Sequence, residues 1–530
     1  MKKNILKKGF LIALTLSLGL QGFTQVKPKM GAKPMAPKMG APKMAPKPSA
    51  PMNPGQPMVN RPAPPVLSED IIATKPIFTS IKEGEKAPLN VYRLHLSEVE
   101  NIEPGIVKFT NLQELIITGT GRPTPSMLPP DFGKLNKLTH LSITNLRVSA
   151  LPVGFGGLTN LTFLNLTSCG IMGGENELGA LIKLKTLKVL GNNFQALPMN
   201  LSNATDLTTL ETSAMNLPSS KSISRLTYEM KSPMIPPSLS SFTALTYLAL
   251  KSGSNGPEAP MMPDQGPGGP PMPMMGPPMD FNMAAQGLQG LTQLKTLDLT
   301  SMMISDGDLK ALSGLNIEEL KLGTVRILPG MDGAMNNSTQ NYKKLKSISF
   351  MSLEAHDERD YQAFNGFINQ LPEKESITAP FNPQYMESLS KFKEYHLILQ
   401  NSRENDASTV NFTQFRNLKG LVVSDGVKNI SPTINNSSIS DLDISGDKKL
   451  DISVLGPTFS QLKTLNRLTV NPNQAKALSS LIKGKTSLTQ ITITKGFGKG
   501  PQREAEEDLT KDQLASLKKG MPTVKIIVNK

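Results

Sequence analysis

The chain has 530 residues, a formal net charge of +14, one cysteine and no tryptophan. That length exceeds what one compact core supports, so several domains or a repeat array are expected. A single cysteine excludes any internal disulfide, and an aromatic content of 5% gives little on which nucleic-acid bases stack.

Lys2, Lys3, Lys7 and Lys8 precede the apolar run GFLIALTLSLGLQGF. A charged start followed by an apolar stretch of about a dozen residues is too short for a membrane-spanning helix. It predicts a cleaved signal peptide over residues 1–24, with the small residues Gly22 and Thr24 at the cleavage junction and Gln25 opening the mature chain. The GFTQ junction resembles export signals of the Bacteroidota. No cysteine follows the apolar run, which excludes a lipoprotein anchor, and no later run is long enough to span a membrane. Export is therefore expected, with periplasm, cell surface and extracellular medium as the open destinations.

Residues 25–85 are predicted to be a disordered linker. The unit PKMGAKPMAPKMGAPKMAPKP is rich in proline and poor in large apolar side chains, so it buries too little surface to offset its ordering entropy. From Val26 to Val66 the chain carries Lys27, Lys29, Lys33, Lys38, Lys43, Lys47 and Arg61 and no acidic residue. The basic balance is thus largely a property of the tail. It gives no wider support for nucleic-acid binding and suits contact with anionic envelope polymers.

Beyond the linker, apolar residues recur at positions 1, 4 and 6 of a repeat: Leu112/Leu115/Ile117, Leu138/Leu141/Ile143, Leu161/Leu164/Leu166, Leu184/Leu187/Val189 and Leu207/Leu210. The starts are 26, 23, 23 and 23 residues apart. The series resumes at Leu245, Leu294, Ile317 and Leu345, with weaker copies from Val91, Phe392, Leu418, Ile439, Leu465 and Leu488. The second halves LPPDFGKLNKL, LPVGFGGLTNL and LPMNLSNATDL share the form LPxxfxxLxxL. This pattern resembles the leucine-rich repeat family. The resemblance implies an α/β solenoid, a horseshoe with a parallel β-sheet on its concave face and short helical, 3₁₀ or irregular segments on its convex side. The alternation puts leucines on one face of each strand, and stacked turns bury them together.

The spacing divides the repeats into an array over 86–350, an irregular or degenerate seam over 351–391, and a second, degenerate array over 392–530. The first array carries a Pro/Met/Gly-rich insert at 253–283, and the second ends in a helix and a closing strand. From Leu207 to Leu245 the gap of 38 residues is one turn with about fifteen residues over.

With Leu161 as position 1, Cys169 falls at position 9, where Asn192 stands one turn later. The resemblance implies a buried ladder residue at that place. His95, His140, His356 and His396 show no metal-ligand spacing. HDERD at 356–360 reads as a mixed-charge surface loop, and GFGKG at 496–500 as a turn, since it lacks the spacing of a phosphate loop. No catalytic motif is present, and no cofactor or metal site is predicted. Met30, Met35, Met39, Met44, Met52 and Met58 in the tail and Met261, Met262, Met272, Met274, Met275, Met279 and Met283 in the insert supply soft thioethers suited to Cu(I), which keeps envelope copper binding as the alternative function.

The reading favoured by this architecture is non-catalytic binding of a protein or cell-surface polymer, in adhesion or recognition, through the concave face. The outward strand positions include Gln113, Glu114, Ile116, His140, Ser142, Phe163, Asn165, Lys188, Glu211 and Tyr247. His140, Ser142, Phe163, Asn165, Lys188, Glu211 and Tyr247 are the candidate ligand contacts. A dozen strands spaced about 4.8 Å apart make an arc of roughly 55–60 Å, ample for an interface of ~800 Å² per partner.

Overall fold

The structure, a computed structural model, describes residues 66–232, 234–252, 287–327, 342–371, 375–399, 408–423, 427, 430–446, 462–481, 487–494 and 511–528. The predicted signal peptide, the insert at 253–283 and GFGKG lie outside the described residues, as does the linker before residue 66.

Among the described residues nineteen strands form one parallel sheet. Before the insert these are β1 (Ile77–Phe78), β2 (Arg93–Val99), β3 (Glu114–Gly119), β4 (His140–Thr144), β5 (Phe163–Asn165), β6 (Thr186–Lys188), β7 (Thr209–Thr212), β8 (Arg225–Met230) and β9 (Tyr247–Ser252). After it come β10 (Thr296–Ser305), β11 (Glu319–Arg326), β12 (Ser347–Glu354), β13 (Ser376–Pro380), β14 (Glu394–Leu399) and β15 (Leu418–Val423). The series ends with β16 (Asp441–Asp443), β17 (Arg467–Val470), β18 (Gln490–Ile493) and β19 (Lys525–Val528). Each strand pairs with the next in chain order, the arrangement of an open solenoid.

The register explains why leucine recurs. Leu115, Leu141, Leu164, Leu187 and Leu210 are directly opposite one another across β3 to β7, and each is fully buried. The same row continues through Leu226, Leu248, Leu297 and Leu320. Burying each such side chain stabilises the fold by about 1.5–3 kcal/mol, but only when the neighbouring turns supply its walls.

Each strand ends in a sharp turn, and the residue four beyond the first core leucine adopts a left-handed conformation in Asn145, Ser168 and Gly191 (φ 55°, 57° and 68°). The chain then returns through short 3₁₀ turns such as Pro130–Lys134, Phe155–Gly157 and Met199–Asn203, whose buried Phe132, Phe155 and Leu201 close the core from behind. Some later turns carry α-helices instead, such as Asp306–Leu312 and Glu358–Gln370, while Phe412–Gln414 and Pro432–Asn436 remain 3₁₀.

The structure corrects four expectations. Residues 66–85 do not belong to a disordered linker: helices Glu69–Ala73 and Ile81–Gly84 flank β1, and Ile72 and Ile81 are buried. They cover the first turn, whose core would otherwise face water. The 38-residue gap after Leu207 holds a further strand, β8, with Leu226 and Tyr228 in the core. Residues 351–391 are no seam, because β12, β13 and β14 pair in unbroken register. The sheet is likewise continuous from β9 to β10. Finally, HDERD is a helix start. Asp357 caps helix Glu358–Gln370 by accepting from the Arg359 and Asp360 amides, and Asp360 is buried, accepting from the His356 amide at 2.7 Å.

Cys169 is fully buried, and its thiol donates to the Ile143 carbonyl at 3.2 Å. One turn on, the Asn192 amide donates to the Leu166 and Val189 carbonyls at 2.7 and 3.0 Å, while its oxygen accepts from the Ile171 amide at 3.0 Å. These side chains join successive turns where the strand ladder has ended. Burial pushes the Cys169 thiol up to about 12. Native protein is therefore expected to resist a thiol reagent such as DTNB, with stoichiometric labelling only on unfolding. Rapid labelling of the native chain would contradict this placement.

Candidate functional site

Two rows of side chains project from the exposed face of the sheet, one immediately before and one immediately after the first core position. The first row runs Arg93, Glu114, His140, Phe163, Thr186, Thr209, Arg225, Tyr247 and Thr296. The second runs His95, Ile116, Ser142, Asn165, Lys188, Glu211 and Thr227. Because neighbouring strands are about 4.8 Å apart, the side chains of a row stand within reach of their counterparts on adjacent strands, and the row order decides the chemistry.

His140 and Phe163 stack almost parallel, with ring centres 4.1 Å apart, and both are half-buried. Beside them Asn165 donates to the Ser142 hydroxyl at 3.2 Å and accepts from the Thr167 amide and hydroxyl. Ser142 is only 9% exposed, so Asn165 rather than Ser142 presents the polar surface here. Lys188 and Glu211 follow as an ion pair of 3.0 Å. Six of the seven candidate residues thus form one contiguous patch on β4 to β7. Tyr247 stands two strands further, on β9. Its hydroxyl donates to Asp298 at 2.7 Å, and the Arg225 guanidinium lies 3.5 Å from its ring centre. Burial, then the Asp298 carboxylate, pushes the Tyr247 phenol up to about 12.

Gln113 departs from the expected outward placement. It is 1% exposed, and its side-chain oxygen accepts from the Leu67 amide at 3.0 Å, tying the segment before the first helix to the sheet.

Other groupings escaped the sequence pattern. Glu114 accepts from Arg93 Nε and Nη2, at 3.1 and 2.9 Å, and from His95 Nε2. Burial raises the Glu114 carboxyl, but these bonds outweigh it and hold the group at about 2. Toward the far end, His396, Asp441 and Arg467 meet across β14 to β17 around a cleft of about 300 Å³. The signal that would have found them is register: residues on adjacent strands 19 to 26 apart become neighbours once the strands are aligned. Among the described residues no group of three or more His, Cys, Asp or Glu is placed to hold a metal ion, and no helix is long and apolar enough to cross a membrane.

No protein-family model matches the chain, and no curated protein does. Among solved structures, a leucine-rich repeat protein of Leptospira interrogans is similar at 17% identity, over 85% of this chain and 99% of that one, with a TM-score of 0.36. An internalin of Listeria monocytogenes is similar at 15% identity, over 85% of this chain and 89% of that one, with a TM-score of 0.23. At these values the likenesses carry no argument about activity. The period near 23 residues, the in-register leucine rows and the 19-stranded parallel sheet make this chain a leucine-rich repeat protein by fold.

Proposed function

We propose that the chain is a non-catalytic binding module, exported by its N-terminal signal, which recognises a protein or cell-surface polymer through the exposed face of β3 to β9. The stacked His140–Phe163 pair carries this reading. It sets two half-buried rings on a solvent-facing sheet, bordered by Asn165 and the Lys188–Glu211 pair. An aromatic anchor with a satisfied polar rim is what a binding hot spot requires. The acids and bases around it are paired with one another, as in Glu114 with Arg93 and Lys188 with Glu211, which suits shape recognition better than proton transfer. The copper reading rests on the methionines of the tail, Met30 to Met58, and of the insert, Met261 to Met283, all outside the described residues, and no observation favours it over this one.

The test is retention of envelope and host-surface components by the mature chain beside a Phe163→Ser, Lys188→Glu variant. Both substitutions leave the buried Leu164 and Leu187 in place. Affinity for a retained component is expected to fall at least tenfold, about 1.4 kcal/mol. A partner held equally by both proteins would remove this face from the function.

A further inference from the structure

We propose a second binding site, on the exposed face between β14 and β18, fitted to a single neutral, hydroxyl-rich sugar unit of a glycan. It is independent of the patch on β4 to β7 and does not rest on that reading.

The site originates in a break of register. Tyr395 pairs with Leu418, but His396 pairs with Gly420, so Lys419 is an extra residue in β15. A bulge of this kind re-aims the side chains that follow it. Here it brings His396, from the row after the core position of β14, into line with the row formed by Gly420, Asp441, Arg467 and Gln490. Gly420 supplies the floor. A Cβ at this position would stand 1.9 Å from His396 Nδ1, so the imidazole lies across the glycine, which makes room for the ring to rest flat at the edge of the cleft. The resulting cleft of about 300 Å³ is also lined by Asp443 and Thr469.

The arrangement of charge selects the occupant. Asp441 accepts from Arg467 Nε and, on its other oxygen, from the Ser440 hydroxyl at 2.7 Å. One oxygen of Asp443 accepts from the Ser445 amide and hydroxyl at 2.9 and 2.7 Å. Each carboxylate retains lone pairs for further donors, and the Arg467 Nη groups retain hydrogens for further acceptors. An anion entering the cleft would meet two carboxylates, and a cation would meet the guanidinium. A neutral ligand whose hydroxyls both donate and accept satisfies Asp443, Arg467 and Thr469 together. Adjacent sugar hydroxyls have that property, and a cleft of this volume admits one ring rather than a chain. The half-buried imidazole provides a flat wall, and burial holds His396 below its ordinary pKa, so it adds no positive charge near neutrality.

The test is an array of neutral tri- to hexasaccharides printed beside uronic-acid and amino-sugar counterparts, probed with the full mature chain. Neutral members are expected to be retained above both charged sets. Gly420→Leu, which displaces the His396 imidazole toward the cleft, is expected to weaken that binding at least tenfold. Thr469→Val keeps strand-forming shape while removing one hydroxyl, and its expected effect is about fivefold, in the range of a single hydrogen bond. The Phe163→Ser, Lys188→Glu variant should bind the same glycans as the parent chain. Absence of neutral glycans among the retained members overturns the proposal, as does preference for a charged set. Parent-like binding by both Gly420→Leu and Thr469→Val overturns it too, and the valine variant keeps the test decisive should the leucine variant fold poorly.

Discussion

Phe155→Ala is expected to destabilise the first half of the solenoid by about 3–5 kcal/mol, the usual cost of truncating a fully buried phenylalanine. Phe155 is completely buried, and its ring stacks on Phe132 with centres 6.0 Å apart and planes within 3°. The two rings belong to successive 3₁₀ turns on the side opposite the sheet, so the alanine variant loses packing within a turn and between turns. A solenoid turn contacts only its neighbours, and long arrays do not unfold as one unit. The loss should therefore be local. Hydrogen exchange is expected to accelerate across β4, β5 and β6 while β14 to β19 keep their protection. Unchanged exchange in β4 to β6 would place the stabilising contacts elsewhere. Equal acceleration along the whole sheet would mean that the array folds as a single cooperative block.

The leucine rows were legible in the sequence because their cause is local. A strand alternates faces at every residue, and each turn must bury the same positions, so the pattern repeats wherever the period holds. β8 escaped because its turn is short. Thr208 and Ser224, 16 residues apart, stand at equivalent places just before β7 and β8, and no 3₁₀ segment lies between these strands among the described residues. The helix Glu358–Gln370 escaped because HDERD reads as charge, whereas Asp357 acts there as a cap. The end of the linker was misplaced because helices of five and four residues carry too little periodicity to rise above a proline-rich background.

The candidate site divides along the same line. His140, Ser142, Phe163, Asn165, Lys188 and Glu211 follow from counting outward positions, and aligning the strands places them side by side. Their pairings are not local. Stacking of His140 on Phe163 depends on register between strands 23 residues apart in sequence. The cleft at Gly420 is one step further removed, because the extra Lys419 shifts the row and a constant period cannot announce such a shift. The four histidines that looked scattered each have a local setting: His95 completes the Glu114 cluster, His140 stacks on Phe163, His356 adjoins the buried Asp360, and His396 walls the cleft.

Glu114→Gln is expected to remove a pH-dependent contribution to stability near the amino-terminal end of the sheet. In the folded chain burial raises the carboxyl, yet the His95 and Arg93 hydrogen bonds, with the Arg93 and His95 charges, carry it down from 4.5 to about 2. A carboxyl depressed on folding stabilises the fold fully above its unfolded value and loses that contribution as pH falls toward the folded value. The window therefore runs from about 4.5 down to about 2. With the Glu114 side chain 18% exposed, solvent screens the cluster little, and a shift of this size corresponds to about 3 kcal/mol. The parent chain is expected to be more stable than Glu114→Gln at pH 7 by roughly that amount. Other carboxyls titrate in both proteins, so the informative quantity is the difference between them. Exchange protection in β2 and β3, measured at pH 7, 4 and 3, should differ most at pH 7 and converge as the medium becomes more acid. A difference that stays constant from pH 7 to pH 3 would mean that Glu114 supports the first turns by packing alone, with the charge it presents to Arg93 and His95 contributing nothing to stability.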